Sequence, residues 1–101
     1  LILTPTRELA LQVCEQALAI TKHTQIVCGV ITGGINYGTD KETLSKNLDI
    51  LVATPGRLLE HIQQKNINLD AVSHLVLDEF GILNENVRLY MLTDIMFCYI
   101  V

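Results

Sequence analysis

Apolar runs and stretches of helical periodicity alternate along this chain. Leu1-Ile2-Leu3 predicts a strand, and residues 7 to about 21 predict a helix with Leu9, Val13, Ala17 and Ile20 on one face. The apolar, β-branched run from Ile26 to Ile31 predicts a buried strand, closed by Thr32-Gly33-Gly34. Residues 39 to 47 are polar and predict a short exposed helix, followed by a third strand from Asp49 to Ala53. Thr54 is placed to cap the next helix, and Pro55 suits its first position because the N–H that proline lacks would have had no partner there. Leu58, Leu59 and Ile62 form the buried side of that helix, Asn66 to Asp70 a connection, and His74 to Leu77 a fourth strand.

Strands and helices alternating at this spacing imply right-handed βαβ units around a parallel sheet, an α/β fold. In such a sheet ligands bind beyond the C-terminal ends of the strands. Three tracts fall there: Pro5-Thr6-Arg7-Glu8-Leu9-Ala10, Ala53-Thr54-Pro55-Gly56-Arg57 and Val76-Leu77-Asp78-Glu79. The first two have the makings of phosphate contacts, and the third ends in a carboxylate pair suited to a metal ion. Together they suggest a nucleic-acid-dependent nucleotidase. The chain has no Gly-rich loop ending in Gly-Lys-Ser/Thr to hold the nucleotide itself.

The 101 residues suffice for one domain, and half of them are hydrophobic, enough for a packed core. A formal charge of −4 argues against binding nucleic acid through an overall positive field, but leaves room for backbone amides and a few placed arginines. Cys14, Cys28 and Cys98 lack metal-ligand spacing, which suggests free thiols in a reducing, cytoplasmic setting. No apolar stretch approaches the roughly 20 residues of a membrane-spanning helix, so no membrane partner is expected. The apolar end, Met96 to Val101, is explained as a buried or frayed strand. The chain starts at Leu1, inside an apolar run, as a segment cut from a longer protein does.

Each tract has a chemical rationale and a plainer alternative. Asp78 and Glu79 emerge where a strand meets water or ligand; such acids hold Mg²⁺ or align an attacking water, although a solvated acidic pair closing a strand is common. A helix N-terminus at Thr54 to Arg57 offers unpaired N–H groups, with Gly56 permitting close approach and Arg57 adding a fork-shaped cation. The alternative there is a well-capped helix with a surface arginine. Pro5 to Ala10 repeats that design, and Gly33-Gly34 adds a third exposed loop, or an ordinary turn. His23, His61 and His74 do not cluster: His74 is read as a strand residue, and the other two as exposed helix-face residues.

These tracts, in this order, resemble the first RecA-like domain of the DEAD-box ATP-dependent RNA helicases. Pro5 to Ala10, Gly33-Gly34, Thr54 to Arg57 and Val76 to Glu79 match four of that family's motifs in turn. The resemblance covers residues 1–79, leaves 80–101 as a divergent segment, and favours the bacterial branch that helps assemble ribosomal subunits. It implies an incomplete RecA-like parallel sheet of P-loop NTPase type with helices on both faces. It further implies that Thr6, Arg7, Gly33, Gly34, Thr54, Gly56 and Arg57 contact the sugar-phosphate backbone of single-stranded or duplex RNA. Asp78 would coordinate Mg²⁺ through water, Glu79 would be the general base for ATP hydrolysis, and ribosomal precursor particles would be partners.

This chain departs from the family pattern after Glu79, where Phe80-Gly81 replaces Ala-Asp and the Ser-Ala-Thr motif is absent. An abrupt loss of resemblance suggests a frameshift, a splice change or a truncated product. The upstream glutamine, the phosphate-binding loop with its lysine and the second domain are missing from the 101 residues. The preferred expectation is therefore a helicase fragment that binds neither ATP nor Mg²⁺ tightly and is inactive alone. A non-enzymatic α/β module binding RNA or anions, and a non-functional remnant, are the alternatives.

Overall fold

The computed structural model describes residues 1–78, in which strands and helices alternate as β1 (Ile2–Leu3), α1 (Arg7–Ile20), β2 (Cys28–Ile31), α2 (Tyr37–Leu44), β3 (Ile50–Ala53), α3 (Pro55–Gln63) and β4 (Val76–Leu77). Glu79 and the segment 80–101, Cys98 included, lie outside the described residues. The strands form one four-stranded sheet in the order β2-β3-β1-β4, with every neighbouring pair parallel. The α/β expectation of a parallel sheet is met.

Alternation along the strands decides which helix covers which face. Leu3, Ile31, Leu51 and Ala53 point to one side, where Leu58 and Ile62 of α3 and Leu44 of α2 pack on them. Val52, with Ile2, Val30 and Ile50, points to the other side, against Ala10, Val13 and Cys14 of α1. Helices on both faces follow from strands that are apolar on both faces. Gly29 lets α2 and the segment after it approach β2 closely: a Cβ there would lie 2.7 Å from Thr43 Cγ2 and 3.0 Å from Leu48 Cδ2.

Several expectations are corrected. The buried stripe of α1 runs through Ala10 and Cys14 to Thr21, not through Ile20, which is 81 % exposed. Small side chains face the sheet there, and Thr21 Oγ1 turns back to donate to the Ala17 carbonyl at 2.7 Å. Ile26 and Val27 are exposed and precede β2 rather than opening it. The polar helix begins at Tyr37 because Asn36 caps it, its Oδ1 accepting from Gly38 N at 2.7 Å. That helix is not wholly exposed, since Asp40 is buried. His61 is fully buried rather than on an exposed face, and His74 lies before β4 rather than within it.

Candidate nucleic-acid interface

The parallel register brings the strand ends level. Ile31 pairs with Ala53, Ala53 with Leu3, and Leu3 with Leu77. The ladder then runs one residue further: Thr54 N donates to Ile31 O at 3.2 Å, Thr4 N to Ala53 O at 3.0 Å, and Asp78 N to Leu3 O at 2.9 Å. The four loops thus start abreast, at Thr32, Thr54, Thr4 and Asp78. At about 4.8 Å per strand, the row is roughly 15 Å wide.

The loop after β1 carries Thr6 and Arg7. Thr6 is the N-cap of α1, its Oγ1 accepting from Leu9 N at 3.3 Å. A hydroxyl that accepts in this way still has its own proton to donate. Arg7 is exposed and has no carboxylate partner among the described residues. Its side chain reaches the loop after β2: a Cβ built on Gly34 would lie 2.5 Å from Arg7 Nη1. Gly34 has φ +86°, a left-handed conformation that suits glycine. Pro-Thr-Arg and Gly-Gly, 26 residues apart, therefore meet in space.

Thr54 occupies the N-cap position of α3 with Pro55 behind it, but its side chain caps nothing. Its hydroxyl donates instead to Thr32 Oγ1 at 3.4 Å, joining the loops after β3 and β2. The first-turn N–H groups of α3 are left without a capping side chain, the condition under which a helix start attracts anions. Above Gly56 and Gly33 a Cβ would meet nothing within 4 Å, so both backbones face open space.

Arg57 is placed differently from the expectation of a surface cation. Its side chain is 14 % exposed, and Nη1 donates to Ile35 O at 3.1 Å and to Asp40 Oδ2 at 2.7 Å. Its Nε lies 3.4 Å from Glu60 Oε2, and its guanidinium carbon 5.6 Å from the Tyr37 ring centroid. Of the residues linked to it, Asp40, Tyr37 and Asn66 were not singled out from the sequence, and His61 was read as an exposed helix-face residue. The available signal was that Arg57 and His61 stand four apart, next to the buried Leu58 and Ile62.

Asp78 ends β4 half-buried, at the far side of the row from Gly33. Among the described residues no group of three or more His, Cys, Asp or Glu could hold a metal ion. A single carboxylate fits Mg²⁺ only when phosphate oxygens and water supply the remaining ligands. The 101 residues contain no Gly-Lys-Ser/Thr loop to position those phosphates. Asp78 thus offers a single carboxylate at the edge of the row.

The profile of the DEAD/DEAH box helicases matches residues 1–96. The ATP-dependent RNA helicase SrmB of Escherichia coli is 52 % identical over 79 residues, which are 78 % of this chain and 18 % of that protein. RhlB of Shewanella woodyi, also an ATP-dependent RNA helicase, is 42 % identical over the same shares. The chain therefore spans about a fifth of the length of such relatives. Among solved structures, the yeast DEAD-box splicing factor Prp28 aligns over 95 % of this chain and 22 % of its own, with TM-score 0.86 and 32 % identity. A hypothetical ATP-dependent RNA helicase from Sulfolobus tokodaii aligns over 96 % and 28 %, with TM-score 0.81 and 30 % identity. Motif order, backbone course and profile agree, and the chain belongs to the DEAD/DEAH box helicase family, within the region of its first RecA-like domain.

Proposed function

We propose that this chain supplies part of the RNA-gripping edge of an ATP-dependent RNA helicase, holding the sugar-phosphate backbone of single-stranded RNA beyond its strand ends. The observation that carries this reading is the level row of Thr32, Thr54, Thr4 and Asp78, bonded strand to strand. Along it, Gly33, Gly34 and Gly56 let phosphates approach the backbone, Thr6 and Thr54 offer hydroxyls, and Arg7 offers a cation without a carboxylate partner among the described residues. Contacts of this kind grip the backbone and carry no base information.

Strand separation driven by ATP is proposed for the whole protein, in which Asp78 would hold Mg²⁺ through water and Glu79 would serve as general base. The 101 residues alone are expected to hydrolyse no ATP, because positioning of the phosphates is most of the catalysis in phosphoryl transfer. RNA-stimulated hydrolysis by the purified chain, lost in Glu79→Gln, would refute that part. The RNA edge is tested by fluorescence anisotropy with a labelled single-stranded oligouridylate across salt concentrations. Binding should weaken with salt, and Arg7→Ala should lower the slope of log K against log salt by about 0.7, one phosphate contact. Salt-independent binding, or indifference to Arg7→Ala, would end this reading.

A further inference from the structure

Behind the open edge lies a polar array whose members, Arg57 apart, fall outside the four motifs. Asp40 of α2 is 1 % exposed and His61 of α3 is fully buried. Oδ2 of Asp40 accepts from Arg57 Nη1 at 2.7 Å and faces His61 Nε2 at 3.1 Å. On the other side of the ring, Asn66 Nδ2 lies 3.1 Å from His61 Nδ1 and donates to the Tyr37 hydroxyl at 2.8 Å. An amide nitrogen only donates and a carboxylate only accepts, so the imidazole proton sits on Nε2 and points to Asp40. Tyr37 stacks on that imidazole with centroids 4.3 Å apart and planes 9° apart. Lys65, at φ 58°, turns the chain so that Asn66 N donates to His61 O at 2.9 Å.

We infer that Asp40 and His61 are positioning residues for RNA: through Arg57 they lock the Gly33-Gly34 loop to the first turn of α3. This rests on the RNA edge proposed above. Arg57 joins the two loops physically, because one nitrogen serves both the Ile35 carbonyl, just past Gly34, and Asp40. Its guanidinium is turned inward as a clamp. Asp40 supplies the charge that holds the clamp, and His61, gripped by Tyr37 and Asn66, orients Asp40. Buried ion pairs add little net stability, but they do impose one geometry. Two phosphate-facing backbones held at one spacing are what a multi-point grip requires.

The test uses the whole chain, the same labelled oligouridylate, and temperatures well below each variant's melting transition. Asp40→Asn should weaken binding roughly tenfold, the size expected for one lost charge-assisted contact. Charge alone predicts the reverse, since removing a negative group near phosphates should tighten binding. In an Arg57→Ala background, Asp40→Asn should have no further effect, because the two act as a unit. His61→Gln, which keeps a donor near the Nε2 position, should bind within about twofold of the wild type, and His61→Leu about as weakly as Asp40→Asn. Unchanged or tighter binding by Asp40→Asn, additive effects with Arg57→Ala, or equal binding by the two His61 variants would each overturn the inference. Should Asp40→Asn fail to fold, the His61 pair decides. A wild-type chain that does not bind RNA would instead remove the proposed edge itself.

Discussion

Replacing Gly34 with alanine perturbs the point where two loops of the candidate interface meet. The backbone there has φ +86°, and the added methyl would stand 2.5 Å from Arg7 Nη1 and 3.2 Å from Arg7 Cδ and Cζ. Holding alanine in the left-handed region costs about 1–2 kcal/mol. Arg7 is exposed and flexible, so it can swing away at little further cost to stability. For a domain of this size, 1 kcal/mol moves the melting temperature by roughly 4–8 °C, so Gly34→Ala should melt roughly 5–15 °C lower. The neighbouring Gly33→Ala is the control, because its methyl meets nothing within 4 Å. It should remain within about 0.5 kcal/mol of the wild type. Circular dichroism melts of the two variants side by side make the comparison. In RNA titrations, Gly34→Ala should also lose salt slope as Arg7→Ala does, since the methyl occupies the guanidinium's place. If the two alanine variants melt together, the left-handed turn and the Arg7 contact do not constrain this loop.

Two other outcomes follow from the same geometry. Gly56→Ala should leave stability unchanged or raise it by up to about 1 kcal/mol, because a Cβ meets nothing there and alanine favours a helix. The same variant should bind oligouridylate more weakly, and equal affinity would show that no phosphate approaches Gly56. Burial, and secondarily the neighbouring Cys28, push the Cys14 thiol up. The unfolded chain then loses this proton first as pH rises. The stabilising contribution is complete below the ordinary thiol range and is lost as pH climbs from there through the raised folded value. Urea melts between neutral and alkaline pH should therefore show a steeper loss of stability in the wild type than in Cys14→Ala, and parallel curves would contradict it.

Periodicity and punctuation in the chain were enough for the α/β class, for the order of strands and helices, and for loops at the strand ends. Continuous apolar runs can bury both faces only between two helical layers, and Pro-Thr and Thr-Pro steps mark helix starts locally. Short-range chemistry of this kind is written in neighbouring residues. The places where the pattern misled share one cause. Ile20 continues the helical spacing of Leu9 and Val13, yet the stripe that meets the sheet runs through Ala10, Cys14 and Thr21 and leaves Ile20 outside it. His61 and Asp40 look like solvated polar positions in their own helices, and only the approach of α2 to α3 gives each a partner across 21 residues of chain. Arg57 turns inward for the same reason. Which strands lie side by side, and hence that Arg7 rests on Gly34 while Thr54 meets Thr32, was decided by the β2-β3-β1-β4 order. Pairing at a distance depends on how the whole sheet closes, and no local stretch of sequence encodes that by itself.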